Sequence, residues 1–449
     1  MYPRSRNQWA LALGLVLVLL TVRTTLRGLF IPVRVVSGSM AECLRGPHWS
    51  VTCPACGMPV VCGTDVAPQD HVLTCANCGS HPIPLKGESI RGDRVLVWQV
   101  DAFTRRYQRG DVIAFQSAHA SGTWQVKRIA GLPGESIMIR DGDVWTDGRR
   151  LEKSLPQLEA MALVVYDRRY RRADEAIGRW RPQRESNVHG WREEGDDLRW
   201  CAADTKQDAS SDWEWLTYHH RSGTPPPPEP GTPQPVTDNY GYNQGLSRPL
   251  HYVADLLVTG EMEFTGMPNV AWRWQASTEP VVIAWHGEQA RVTNGNGLPT
   301  DDRDASSSVR VITAKEQIDV AGHVAQARTY RFVVACCDGR IMLSINDMLL
   351  VSQTLNGDFV ATDMPWSIGL RGRANVVIRE LQIKRDVHVT HPEFREADWV
   401  SARPLASDEY FVLGDNSPLS KDSRHGDECG VVRREQIRGR VVPWRRGTP

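Results

Sequence analysis

The residues in this chain best equipped for covalent chemistry are a serine and a lysine. Ser39 lies in VVSGSMAECL, a small-residue, turn-prone stretch, and Lys127 lies in WQVKRIAGLPGE, a strand-like one. A serine hydroxyl is a weak nucleophile until a base stands beside it. A lysine amine can be that base if burial lowers its pKa toward neutrality. Val126 and Ile129 give Lys127 apolar neighbours, although a single lysine in a strand is more often a solvated edge charge.

A second constellation is built of sulfur. CPACG and CANCG place Cys53, Cys56, Cys75 and Cys78 as two C-x-x-C pairs with 18 residues between them, each pair followed by glycine. That is zinc-ribbon spacing: a tight turn turns both thiolates of a pair toward one ion, and glycine permits the positive φ of such a knuckle. Four sulfurs leave no open coordination position, so the expected role of a zinc ion here is structural. Cys62 is left over, with His71 and His81 as weaker ligand candidates.

The elements that must position these groups are mostly strands. The chain has 449 residues, 41% of them hydrophobic, with zero formal net charge. Its length suits two or three domains, and the absence of basic excess argues against nucleic acid as a partner. Residues 9–22 form an apolar run that reaches membrane-spanning length if extended to Phe30, with Arg23 and Arg27 snorkelling. No A-x-A-like site follows it, which disfavours a cleaved signal peptide, and Arg4 and Arg6 in front with Trp9 at the boundary favour an anchor over a buried soluble helix. IPVRVV then reads as a short strand leading to the Ser39 turn. RGDRVLVWQV, RGDVIAFQS, TWQVKRIAG and SIMIRDGDVWTDG read as an antiparallel unit punctuated by Gly-Asp and Gly-Glu turns. Residues 160–400 differ in texture, with a TPPPPEPGTPQP loop and many evenly spaced strands that indicate a β-sandwich. No helix beyond the anchor is signalled. The last fifty residues return to the first texture, as expected of one domain interrupted by another.

SGSM after a membrane anchor, RGDRVLV and RGDVIAF, VKRIAGLPGE, and LGDN…SKDSR follow one another in fixed order. Together they resemble the boxes of bacterial type I signal peptidases, membrane-anchored Ser/Lys proteases that cut signal peptides from exported preproteins. The resemblance covers roughly residues 9–49, 83–150 and 405–445. It implies Ser39 as nucleophile, Lys127 as general base, and Ser37 as an oxyanion donor beside the Ser39 N–H. It further implies Ser420 as the serine that hydrogen-bonds the lysine, Asp422 and Arg424 as bracing residues, and Gly414, Asp415 and Asn416 as the preceding turn. Two departures bear on substrate positioning: Val36 stands where the family usually has proline, and Glu42, Cys43 and Leu44 replace the usual Pro-Thr-Leu.

The implied fold class is mainly β: an N-terminal transmembrane helix and a signal-peptidase-type antiparallel catalytic domain interrupted by a concanavalin-like jelly-roll sandwich. The expected boundaries are a cytoplasmic stretch 1–8, an anchor 9–30, a first catalytic part 31–157 containing the ribbon-like insert 50–82, the inserted sandwich 158–400, and a second catalytic part 401–449. The resemblance also implies a single-pass protein of the cell membrane whose catalytic domain faces outward. Disulfides then compete with zinc for the four cysteines, and Cys43 and Cys429 come within reach of each other. The expected partners are preproteins with Ala-x-Ala cleavage sites and the bilayer, with a glycan or protein as ligand of the sandwich. No cofactor is expected for catalysis, only structural zinc. A rival function is a membrane-tethered glycan- or protein-binding module on an inactive peptidase scaffold. Retention of Ser39, Lys127, Ser420, Asp422 and Arg424 together argues against such decay.

Overall fold

The computed structural model describes residues 13–22, 29–99, 107–116, 123–172, 178–183, 190–202, 213–221, 233–264, 266, 268–275, 279–287, 289–294, 312–313, 328–355, 357, 359–426 and 429–443. The fold is mainly β. Alternating branched residues build its first sheet: in Arg94–Trp98, Val95 and Val97 point inward and pack with Ala114 and Val441, while Arg94 is exposed. Seven strands form this sheet, in the order Phe30–Arg34, Arg94–Trp98, Ile437–Pro443, Val112–Gln116, Trp124–Gly131, Glu409–Leu413, Val432–Arg433. Strands from the two ends of the chain therefore alternate within one sheet. Val412 pairs with Ile129 and Leu413 with Arg128, which sets the last segment of the chain beside Lys127. A four-stranded sheet (Arg149–Arg150, Asp143–Thr146, Ile137–Arg140, Trp399–Val400) packs alongside and is again closed by a late strand.

Between these halves stands a two-sheet sandwich. One sheet runs Gly190–Glu194, Asp197–Cys201, Val376–Arg385, Leu256–Phe264, Arg328–Cys337, Arg340–Ile345, Met348–Thr354, with Leu163–Asp167 also paired to Val376–Arg385. The other runs Trp180–Pro182, Glu214–Tyr218, Trp366–Arg371, Asn269–Trp274, Val281–His286, Gln289–Asn294, Ile312–Thr313. Tryptophans fill the space between them. Trp180, Trp272, Trp274, Trp285 and Trp366 are all buried in this core, and Trp272 meets Phe332 of the facing sheet at 5.4 Å between ring centroids. Leu163 pairs with Arg385, so the first and last strands of the sandwich lie side by side.

A helix that the strand pattern does not signal covers the outside of this domain. Leu155–Met161 begins at Ser154, whose backbone N–H donates to Gln157 Oε1 at 2.9 Å. This is a capping-box pattern carried by Ser-Leu-Pro-Gln, with proline in the first turn. Leu155 and Leu158 pack on Leu257, Val333, Cys337 and Met342. This helix also alters the fate of the adjacent cysteines, for which at most one core-facing side chain is expected in a strand. Cys336 faces the sandwich core and Cys337 the opposite face, yet both are buried because the helix covers the second face. Just before the helix, Lys153 forms ion pairs with Asp338 and with Asp386 (3.0 Å), tying the segment that enters the helix to one end of the sandwich sheet.

Residues 13–22 are helical and exposed. The remainder of the expected anchor, 9–12 and 23–28, lies outside the described residues. No helix among the described residues is long and apolar enough to cross a membrane. Residues 48–84 form two short hairpins, His48–Thr52 with Pro59–Gly63 and Val72–Leu73 with Ile83–Pro84. Trp272→Ala is expected to cost the sandwich about 3–5 kcal/mol, read as a shift in the denaturation midpoint of the full chain.

Candidate functional site

Lys127 occupies an inward-facing position of the strand Trp124–Gly131, where Ile129 is buried two residues on. It is 4% exposed, between Val112–Gln116 and Glu409–Leu413. Burial pulls its pKa below the ordinary lysine value, while the charge of Asp422 pulls the other way. That attraction acts at a distance, because Asp422 is already committed. Its carboxylate accepts Arg424 Nε and Nη2, each at 2.8 Å, and the Gly414 N–H at 3.0 Å. Burial would raise the Asp422 pKa, but the Arg424 charge and hydrogen bonds hold it below the usual value. Arg424 also donates to Ser417 Oγ (2.8 Å) and Ser417 O (2.8 Å), so its guanidinium organises the whole turn between residues 414 and 424.

Ser39 is brought to this turn by its backbone. The Asn416 N–H donates to Ser39 O at 3.1 Å, and Asn416 Nδ2 donates to Gly38 O at 3.0 Å. Beneath them Gly414 has no room for a side chain. A Cβ there would lie 2.2 Å from Ser420 Oγ and 2.4 Å from Ser39 O. Ser37 is exposed, and its Oγ is 3.4 Å from Ser39 Oγ. Ser420 is buried, and its hydroxyl has no hydrogen-bond partner among the described residues. The bond from Ser420 to the lysine that the family resemblance implies is thus not formed here, although the hydroxyl stands against the carbonyl of Ser39. Asp415 turns away from Lys127 to form a two-point ion pair with Arg128, Nε to Oδ1 at 2.8 Å and Nη2 to Oδ2 at 2.6 Å. All nine expected site residues outside the cysteine cluster therefore belong to the adjoining 37–39, 127 and 414–424 segments.

Several contributors escape the sequence patterns. Arg128 is the cation that fixes Asp415. Tyr240 donates its hydroxyl to Asp415 O at 2.9 Å, and Asn243 exchanges amide hydrogen bonds with Asn416 at 2.6 and 2.8 Å. Tyr240 and Asn243 come from the inserted segment, and nothing in NYGYN forecasts a contact so remote in sequence.

The four ribbon cysteines converge. Their Sγ atoms lie within 4.8 Å of one another, with Cys53–Cys78 at 3.6 Å and Cys56–Cys75 at 3.7 Å. Tetrahedral zinc with bonds of about 2.3 Å sets sulfurs about 3.8 Å apart, whereas a disulfide needs about 2.05 Å. Hydrogen bonds from Cys75 and Cys78 lower the Cys56 pKa, giving the cluster one ready thiolate. His71 and His81 are not among the clustered ligands; His81 Nδ1 instead meets Thr74 Oγ1 at 3.1 Å. All ten cysteines are free. Cys43 donates to Ala160 O and Cys429 to Gln125 Oε1, so these two are not paired.

Residues 84–190 and 371–444 match the family model "Signal peptidase, peptidase S26". The similarity is to signal peptidases. It takes in Lys127 and the 414–424 turn; Ser37 and Ser39 lie before the matched residues. Signal peptidase I of Rickettsia bellii (strain OSU 85-389) is 30% identical over 61 residues, 14% of this chain and 21% of that protein. Signal peptidase I of Rickettsia massiliae (strain Mtu5) is 27% identical over 62 residues, 14% of this chain and 23% of that protein. The chain thus spans about a fifth of the length of the curated relatives it matches. Among solved structures, the carbohydrate-binding module CBM66 from Bacillus subtilis covers 46% of this chain and 97% of its own at 9% identity and a TM-score of 0.27, a likeness too low to bear on fold or function.

Lys127→Met tests the burial of the amine. Between the lowered folded pKa of Lys127 and its ordinary value of 10.5, the unfolded chain holds the extra proton, so stability rises with pH across that window. Lys127→Met is therefore expected to melt higher than the unsubstituted protein at pH 7, with the gap closing toward pH 10 in thermal melts.

Proposed function

We propose that this chain is a membrane-bound serine endopeptidase that removes signal peptides from exported preproteins, with Ser39 as nucleophile and Lys127 as general base. The observation that carries the reading is a buried lysine with its pKa lowered by desolvation, set in the same sheet-and-turn assembly that holds the backbone of Ser39. Among the side chains of this site, a neutral amine is the group able to take a proton from a serine hydroxyl near neutral pH. The family match supports peptidase chemistry at the level of the family.

In the proposed cycle, neutral Lys127 Nζ accepts the Ser39 Oγ proton as Oγ bonds to the carbonyl carbon of the scissile peptide. The Ser39 N–H and Ser37 hydroxyl donate to the oxyanion that forms. The carbon–nitrogen bond then breaks, and Nζ returns its proton to the departing amine. Water, deprotonated by the same amine, cleaves the acyl-enzyme and restores Ser39. Asp422 and Arg424 hold the turn in place, and Ser420 offers its uncommitted hydroxyl to the lysine. No cofactor takes part in these steps.

The helix at residues 13–22 exposes Leu13, Leu15, Leu17 and Leu19, a surface that suits lipid rather than water. It supports an anchor that sets Ser39 close to the bilayer, with the peptidase outside the cytoplasm. The sulfur separations support a structural zinc ion held by Cys53, Cys56, Cys75 and Cys78.

Cleavage of a preprotein carrying an Ala-x-Ala site by detergent-solubilised full chain is the direct test. Ser39→Ala and Lys127→Ala are each expected to lower kcat by about 10³-fold or more. Wild-type kcat/KM should rise with pH along a limb lying below 10.5, as Lys127 loses its proton. A folded wild type inert on such substrates would overturn the reading. For the ribbon, metal analysis should find one zinc per chain, and Cys53→Ser with Cys75→Ser should abolish it and lower the melting temperature.

A further inference from the structure

The inserted sandwich is in direct contact with the loop that carries Ser39. Its Gly241–Asn243 turn lies between the strands Glu214–Tyr218 and Leu256–Phe264. Three successive residues leave this turn in three directions. Tyr242 is fully buried against the catalytic loop: a Cβ at Gly38 would stand 2.4 Å from its ring, and its hydroxyl donates to Pro47 O at 3.2 Å. Asn243 Nδ2 donates to Asn416 Oδ1 at 2.6 Å, and Asn416 Nδ2 donates both to Asn243 Oδ1 at 2.8 Å and to Gly38 O at 3.0 Å. Gln244 exchanges hydrogen bonds with the backbone of Thr74 at 2.7 and 3.0 Å, inside the cysteine ribbon.

Resting on the peptidase reading above, we propose that Asn243 is a positioning residue of the peptidase site, so that the inserted domain is a built component of that site. The chemistry is one of amide bracing. Beside the Asn416 N–H that holds Ser39 O, Asn416 Nδ2 adds a second tie, to Gly38 O. Asn243 braces that side chain from behind with a donor to Asn416 Oδ1 and an acceptor to Nδ2. Both side chains are buried, so no water competes for these bonds and a lost partner is costly. Asn243→Asp keeps the shape but faces Asn416 Oδ1 with oxygen whichever way the Asn416 amide is turned, so one of the two bonds is replaced by repulsion and the clamp on the Gly38 O contact loosens. Displacements of about 1 Å in a reacting group can cost about 10²-fold in rate.

The test compares wild type, Asn243→Asp, Asn243→Ala, Asn416→Ala and the Asn243→Ala/Asn416→Ala pair as full chains on the Ala-x-Ala preprotein. Amide hydrogen exchange over residues 37–41 is measured in parallel. The expected result is a fall in kcat of about 10- to 100-fold in Asn243→Asp, with KM within about twofold and the pH limb of Lys127 unmoved. Exchange at residues 37–41 should quicken, and the double variant should be no slower than Asn416→Ala alone. Wild-type kcat in Asn243→Asp and Asn243→Ala, or additive losses in the double variant, would overturn the positioning role while leaving the peptidase reading intact. A loss of kcat that merely follows a lower melting temperature, with unchanged exchange at 37–41, would overturn it too. An inert wild type would sink both, and the exchange data would still report whether the amide pair restrains the loop.

Discussion

Everything at the candidate site depends on one close backbone approach. Ser39 O and Ser420 Oγ meet over Gly414 in a space that would not admit a methyl group. The two chain segments are 378 positions apart where Asn416 reaches Gly38. Such an approach holds only if both segments are fixed from behind. The turn is fixed by the buried Asp422–Arg424 and Asp415–Arg128 pairs, which are more restrictive than ordinary surface pairs because every donor and acceptor has an assigned place. The loop is fixed by Tyr242 and by the strand that precedes it.

This explains why cations surround Lys127 without a carboxylate touching it. Asp422 could have formed an ion pair with the lysine, and that would have raised its pKa. Arg424 takes the carboxylate instead, and Arg128 takes Asp415. Arg424 keeps Asp422 ionised and occupied, while burial lowers the pKa of the lysine. A single buried site thus favours the charged form of one carboxylate and weakens the charge on a lysine beside it, because the acid is paired and the amine is only desolvated.

Much of this was legible in the sequence, and the reasons differ by residue. The strands of the seven-stranded sheet announce themselves by alternation, as in RVLVW, and the sandwich by strand spacing with turn residues between. Ser39, Lys127 and the GDN and SKDSR boxes are local patterns whose order along the chain points to one site. The Leu155–Met161 helix carried a readable start in Ser-Leu-Pro-Gln, but its seven residues were too few for helical periodicity to stand out from the strands around it. Burial of both Cys336 and Cys337 followed from that same helix. The contacts of Tyr240 and Asn243 had no local signature at all: their meaning arises only when the insert folds back onto residues remote in sequence. Ser420 is the converse case, a motif residue placed in the turn whose hydroxyl has no hydrogen-bond partner among the described residues.

The side-by-side strands Leu163–Asp167 and Val376–Arg385 have a consequence for how the chain assembles. If the sandwich were an unstructured tether, joining the first and second parts of the seven-stranded sheet would mean closing a loop on the order of 220 residues, an entropic cost of about 5 kcal/mol from length alone. Once the sandwich has folded, its entrance and exit are neighbours, and the same closure resembles that of a short turn. The insert then works as a splint for the interrupted domain. Sandwich folding should come before assembly of the seven-stranded sheet, because the order in which the loops close decides how much chain entropy remains to be lost.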